Sequence, residues 1–560
     1  VEHQENVTPD PVWGERVPFE APRRVTTASW SFLLEPAGLT AISFAGRELV
    51  AKLFFSVRDS AWGTPVLRIT YRNGIDGDLE FSGTLAESGL SVGGTLRAGH
   101  DQLEVSYRAT ADRDVEIARI GPAVLHELES FGAGFHCDGP GAGPLVPTPQ
   151  QVRIERVASG YNRLEFEHRG VAATLDLAGD TFEMEDQRNW GDATLKTYCP
   201  PLGGGPISLA AGSSLEYRVS LSAHVTGADP GVPVVTSANR IGPLPALGLA
   251  HSGGELPGEA VGLLRELELG YLHLLVELSD PHWRQRLDAD LLAAEQLGVD
   301  AVLTVDVPGP DDSDGGVDAL GALANACRGR ASSAFVFENG TSETSDEIAL
   351  RASSAFSDSG IAVGGGSRAH FASIASAGRV PGPVTEVAIP LAVASHDDDR
   401  RTLAESPNSF GAIVREARLL SGDRDLLVGP VGFRPTFDPW QPPGAPRDLR
   451  GDWMAGHPRD GSVFAAAWTI AALGALAEAG IRRVTIGATT GARGALALDG
   501  ATITRRPVFD ALREAARFQG TPVGRLVPAE RVAGFGSATR TLLGDMTDEA
   551  PVVLSANLQA

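Results

Sequence analysis

Between Phe182 and Tyr198 the chain carries Glu183, Glu185, Asp186, Gln187, Arg188, Asn189, Trp190, Asp192 and Lys196, with almost no aliphatic residue among them. Carboxylates crowded beside Arg188 and Trp190 are the side chains that grip a polyhydroxylated ligand. The charged groups make bidentate hydrogen bonds, and the indole offers a flat apolar face. The same residues would also serve as a buried ion-pair network pinning one domain to another. The run shows neither the alternation of a half-buried strand nor a helical stripe of about 3.6 residues.

A second set of reactive residues stands just after a series of short apolar segments. In order these are His251 and Ser252; Glu277, Ser279 and Asp280; Asp306; Glu338 and Asn339; Arg368 and His370; His396-Asp397-Asp398-Asp399; Arg434; and Thr489, Thr490 and Arg493. Glu338, closing Phe335-Val-Phe-Glu-Asn339, is the expected catalytic carboxylate, with Glu277 as its partner. The seventh segment ends without a carboxylate, so the pair about 5 Å apart of a retaining glycosidase is not visible. Lactone hydrolysis asks for less: a carboxylate or histidine to deprotonate water, and a donor for the oxyanion. Glu338, Glu277 or His396 could be the base, and Arg434 or Arg188 the donor. Asp186, Arg188, Trp190, His251, Asp306, Asn339, His396 and Arg434 are the expected substrate-binding residues. His251 and His370 can also be read as hydrogen-bonded structural histidines. Four consecutive side chains at His396–Asp399 cannot all face one ion, so no metal is expected. No cofactor is expected either, since neither a P-loop nor a dinucleotide fingerprint is present, and a nucleophile elbow is missing too.

The elements that must position these residues follow from pattern. A chain of 560 residues exceeds one core. Residues 1–25 read as a loose lead-in, and 26–225 as a β-sandwich of short alternating strands such as Leu103–Thr110 and Ser214–Ser222. Residues 226–245, rich in Gly and Pro, read as a linker. From 246 to 522 strand and helix patterns alternate. Expected strands are Ala246–Ala250, Tyr271–Glu277, Ala301–Val307, Ser333–Phe337, Ile361–Gly365, Thr385–Leu391, Leu426–Val431 and Arg483–Gly487. Eight such units make a TIM barrel, whose site lies at the carboxyl ends of its strands. Residues 523–560 read as a C-terminal β segment that returns to the sandwich or forms a small β-domain. The fold class is therefore multidomain β + α/β.

A formal charge of −24 and a pI near 4.9 argue against nucleic acid as a partner and favour neutral sugars. Mean hydropathy is −0.03, and no apolar run reaches the ~20 residues of a membrane span. Three scattered cysteines make no disulfide framework, and a cytoplasmic location is the simplest expectation. Homo-oligomer formation is left open.

Several runs resemble the D-apionate lactonase family. They are Ser56–Thr64, Glu185–Trp190 with Lys196-Thr-Tyr198, Val428–Pro439, Ser462–Gly480 and Thr489–Gly494. The resemblance runs in order from about Trp30 to Gln519 and implies an N-terminal β-domain, a barrel and hydrolysis of a sugar-derived lactone. Where it implies Glu-Thr-Thr-Gly-Trp-Arg-Gly, this chain has Ala488-Thr-Thr-Gly-Ala492-Arg-Gly, so a carboxylate and an indole are missing from the rim. Three readings follow: a lactonase-like hydrolase, a glycoside hydrolase using Glu338 as acid/base, or a non-catalytic sugar-binding paralogue.

Overall fold

The computed structural model of the chain describes residues 8–16, 21–60, 62–65, 67–74, 78–85, 88–127, 134–139, 144–145, 151–154, 156–203, 205–231, 234–235, 242–251, 253–309, 315–439, 447–500, 502–547 and 550–557. Parts of the expected lead-in and linker, and the rim residue Ser252, lie outside them. The chain divides into two compact units: residues 19–188 with 193–233, and residues 1–18, 189–192 and 234–560.

The first unit is the expected sandwich. Two nine-stranded antiparallel sheets bury their inner faces in one core containing Trp30, Phe55, Tyr107, Phe135 and Leu195. The alternation that marks these strands is visible in Val171–Ala178, whose burial alternates residue by residue. The polar run departs from its reading. Phe182–Asp186 and Thr194–Tyr198 are paired strands, with Glu183 opposite Tyr198 and Glu185 opposite Lys196, and Gln187–Trp190 is a 3₁₀ turn between them. Neither strand has a solvated face, so neither alternates. Polar residues survive there because they satisfy one another. Glu183 accepts from the Tyr198 hydroxyl and from Leu202 N–H at 2.8 Å, and Arg156 Nε lies 3.0 Å from its other oxygen.

The second unit is built on a closed barrel of eight parallel strands: Ala246–Ala250, Tyr271–Glu277, Asp300–Val307, Ala331–Glu338, Ala362–Gly366, Glu386–Ala392, Asp425–Gly432 and Arg483–Ala488. All eight coincide with expected segments to within two residues at either end. The barrel interior is filled by Tyr271, Val302, Phe335, Phe337, Ala388 and Leu427. His273 bridges inner walls: its ring nitrogens lie 2.9 Å from Thr485 Oγ1 and 2.9 Å from Thr304 Oγ1, and burial pushes its pKa down to about 3.

The N-terminal segment departs from its reading, and the expected C-terminal β segment is present. Residues 8–16, expected as a loose lead-in, are fixed to the barrel unit. Pro11 and Val12 carbonyls accept from Val463 and Phe464 N–H, two otherwise orphaned donors at a helix start. Glu15 forms a two-pronged ion pair with Arg400, at 2.8 and 2.7 Å, whose guanidinium lies over the Trp13 ring. The C-terminal segment makes a four-stranded antiparallel sheet, Gly524–Ala529, Val532–Gly536, Arg540–Asp545 and Val552–Asn557, within the barrel unit. Its place follows from the helix Val463–Glu478, which is apolar all round and therefore needs cover on the side away from the barrel. Helix and sheet meet through glycines. A Cβ on Gly544 would lie 1.9 Å from the Ala467 carbonyl oxygen, and one on Gly474 2.2 Å from that of Gly534. Gly544→Val is therefore expected to lower the urea midpoint by the equivalent of about 1–3 kcal/mol; an unchanged midpoint would show that the helix does not need this sheet as its cover. Among the described residues no helix is long and apolar enough to cross a membrane.

Candidate active site at the barrel mouth

Strand alternation decides which rim residues face the barrel axis. Glu277 and Asp306 are register partners at the ends of the second and third strands, and Asp306 in turn pairs with Phe337 of the interior layer. Both carboxylates therefore point inward. Glu338 follows Phe337 and is set on the opposite face, half-buried, so the expected convergence of Glu338 with Glu277 on one axis is not supported by the strand geometry. Among the described residues its carboxylate has no hydrogen bond or ion pair. Asn339 is exposed, and its N–H donates to the Val307 carbonyl at 2.8 Å.

Asp306 is fully buried and held by Arg368, whose Nη1 donates to Oδ1 at 2.7 Å. Arg368 also donates to the Thr341 and Glu338 carbonyls at 2.7 and 2.9 Å, and lies over the rings of Phe437 and Phe337. Burial outweighs the pairing on both partners: it pushes the Asp306 carboxyl up and the Arg368 guanidinium down. Asp306 Oδ2 is buried with no partner among the described residues, an acceptor ready for a ligand hydroxyl. Glu277 beside it is also pushed up, by burial first and then by Asp306, Asp280 and Asp448, against Arg450 Nε at 3.6 Å. Two inward carboxylates with two arginines behind them suit a hydroxylated ligand.

Across the mouth, after the sixth strand, His396 Nδ1 lies 2.5 Å from Asp192 Oδ2. The carboxylate accepts the Nδ1 proton, which places the basic lone pair on Nε2. Asp192 comes from the polar run, within the four residues 189–192 that belong to the barrel unit. So does Trp190, whose ring meets His396 edge-on at 5.7 Å and His370 at 5.2 Å. The segment is anchored by Ser409, whose hydroxyl donates to the Gly191 carbonyl at 3.1 Å. His370 is driven down to about 4 by burial and by His396, against Asp438, and so is neutral at physiological pH. The loop leading to His396 is tied to the seventh strand's end by Val393 N–H to the Gly432 carbonyl and Ala394 N–H to that of Phe433. That tie brings Arg434, exposed, next to the dyad's loop.

Other expected residues have different occupations. Asp186 and Arg188, each 1% exposed, pair at 2.7 Å within the sandwich unit. Arg188 also donates to the Gln151 carbonyl and Asp186 accepts from Arg153 N–H, so both side chains are engaged by neighbours within the sandwich unit. His251 uses both ring nitrogens, Nδ1 at 3.0 Å from Thr489 Oγ1 and Nε2 donating to the Gly254 carbonyl at 2.9 Å, which argues against a role in substrate binding. The acidic run is divided: Asp399 caps the helix Arg400–Glu405 through Thr402, while Asp398 lies at the surface. Ala488, where the resemblance implies a carboxylate, is buried in an apolar cluster with Leu275, Phe437 and Trp453.

Two family models match in succession: the D-apionate lactonase N-terminal domain over residues 11–226 and the D-apionate lactonase TIM barrel domain over residues 246–520. The chain belongs to the D-apionate lactonase family. A curated D-apionate lactonase from Brucella anthropi is 23% identical over 98% of this chain and 96% of its own length. Solved structures similar to the chain include a family 51 α-L-arabinofuranosidase from Bifidobacterium longum, at 13% identity, a TM-score of 0.36, 58% of this chain and 86% of that one. Another is an α-L-arabinofuranosidase from Thermotoga maritima, at 11% identity and a TM-score of 0.33, covering 58% and 78%. At such scores neither carries an argument about this member of the D-apionate lactonase family.

Sequence reasoning selected His396 and Trp190 but not Asp192, which stands 204 residues before its partner. It noted Arg368 on the rim without giving it a role.

Proposed function

We propose that this D-apionate lactonase family member opens a sugar-derived lactone by attack of water at the barrel mouth. The observation that carries the reading is the Asp192–His396 dyad beside the Arg434 loop. His396 Nε2 takes a proton from water as its oxygen bonds to the lactone carbonyl carbon. Arg434 meets the carbonyl oxygen as it gains charge. The ring C–O bond then breaks, and its oxygen takes the proton from His396, leaving a hydroxy acid that ionises to the carboxylate. Glu277 and Asp306 accept hydrogen bonds from the sugar hydroxyls, and Trp190 covers an apolar face. Asp192 holds the imidazole in the required tautomer, as the carboxylate does in the serine hydrolase triad.

Glycosidic cleavage is the second reading, favoured by the inward Glu277–Asp306 pair on neighbouring strands. An aldonolactone panel and an aryl glycoside panel, both assayed with the purified protein, separate the two. Turnover of a lactone and of no glycoside is expected. Glu338→Gln is expected to keep activity to within about threefold, well under the 10²–10⁴ of a general acid or base. A loss of that larger size would return Glu338 to the catalytic centre.

A further inference from the structure

After the eighth strand the loop Thr489–Gly494 turns Arg493 back into the fold. Its carbonyl accepts from Ala488 N–H at 3.0 Å, and its guanidinium lies against Gly432, where a Cβ would stand 3.0 Å from Nη2. Arg493 is 4% exposed, yet Nη1 and Nη2 are both buried without a hydrogen-bond partner among the described residues. Asp460, whose charge it feels, does not supply one: Oδ2 of that residue accepts from His457 N–H at 2.6 Å, and no ion pair joins it to Arg493. Arginine keeps its charge even where burial works against it, so this is a dehydrated cation with unused donors.

A second cation stands two residues beyond Gly432. Arg434 is exposed, makes no ion pair among the described residues, and acts electrostatically on Arg493, His457 and Asp452. His457, with Asp398 Oδ2 3.9 Å from its Nε2, is driven down to about 3, by burial first and then by Arg459, Arg434 and Arg16. Asp452 and Asp460 face the same arginines, and burial pushes both carboxyls up while Arg434 and Arg493 pull them down.

We propose that Arg493 and Arg434 form a binding site for a carboxylate group between the ends of the seventh and eighth barrel strands. The two oxygens of a carboxylate match the donor fork that Arg493 leaves unused. The site rests on the lactonase reading for its role, since opening a lactone creates a carboxylate where none existed. Arg434 meets the carbonyl oxygen during attack, and the two arginines together hold the sugar acid once the ring C–O bond has broken. Ground-state recognition of the neutral lactone uses them less, so the product is bound more tightly than a neutral polyol of the same length.

Titration calorimetry of the purified full chain with D-gluconate, D-ribonate and L-tartrate, and with sorbitol as the uncharged control, tests this directly. At least one acid is expected to bind, sorbitol at least tenfold more weakly. Arg493→Gln and Arg434→Gln should each weaken the acid tenfold or more. Arg493→Lys, which keeps charge without the fork, should also weaken it. Arg434 is at the surface, so its variant reports even if Arg493 variants fail to fold. No binding by any of the three acids, or acid binding that both glutamine variants leave unchanged, overturns the site. Acid binding through these arginines in a protein that opens no lactone would keep the site and remove the catalytic reading. Lactone turnover whose product inhibition is the same in the wild-type protein and in Arg493→Gln would do the reverse.

Discussion

His396→Ala is expected to lower kcat/KM on whichever lactone is turned over by about 10²–10⁴-fold, the range for removing a general base. The loss should fall on kcat, because the imidazole acts on water and not on the bound sugar. Asp192→Asn should cost on the order of tenfold or more, a barrier change of about 1.4 kcal/mol. An amide can still accept from Nδ1–H, but it lacks the charge that stabilises the imidazolium, and its NH₂ can favour the wrong tautomer. The double variant should be little worse than His396→Ala alone, since the carboxylate acts through the ring. Added imidazole restoring part of the His396→Ala activity would identify the missing group as a base. A His396→Ala protein with unchanged kcat would leave Glu277 as the remaining candidate for activating water. Equal losses in Asp192→Asn and in a thermal unfolding midpoint would make the pair a clamp on the segment Asn189–Asp192 instead.

That this dyad was half legible in the sequence shows where pattern reading stops. The barrel strands are buried on both faces and bounded by helices, so each reads as a short apolar run with a polar residue at its end. Glu277, Asp306 and His396 all came from that rule, as did Arg434. Direction did not: Phe337 and Glu338 are adjacent at one strand end, and only the interior packing of Phe337 shows which of them faces the axis. The polar run failed as a unit for a related reason. Its strands are buried on both faces with their charges paired internally, while its middle four residues belong to the other compact unit. No spacing rule links Asp192 to His396, because the contact is set by the fold and not by an element. Composition likewise made Asp186 and Arg188 look like ligand-binding groups. In the structure both are buried and paired with each other at 2.7 Å.

The largest stability effect is expected at Arg368 and Asp306, and its sign pattern separates binding from architecture. Asp306→Ala leaves a buried guanidinium held by two carbonyls and two rings but without its counter-ion. Arg368→Met leaves a fully buried carboxylate whose Oδ2 already lacks a partner. Either change should cost about 3–5 kcal/mol in urea denaturation, the penalty for orphaning one member of a buried pair. The combination Asp306→Leu with Arg368→Met should recover much of that loss, because burial already outweighs pairing on both residues and an apolar pair removes the desolvation cost altogether. If the pair existed to stabilise the barrel, selection would favour the apolar version. The expected result is a double variant near wild-type stability that binds substrate poorly, with KM raised on the order of tenfold for the loss of one charged hydrogen-bond acceptor at about 1.5–3 kcal/mol. Recovered stability with unchanged KM would place the sugar elsewhere on the rim. Recovered stability with raised KM assigns the cost of burying Asp306 to the ligand it receives, and explains why the barrel keeps a desolvated ion pair at the point where two inward carboxylates meet.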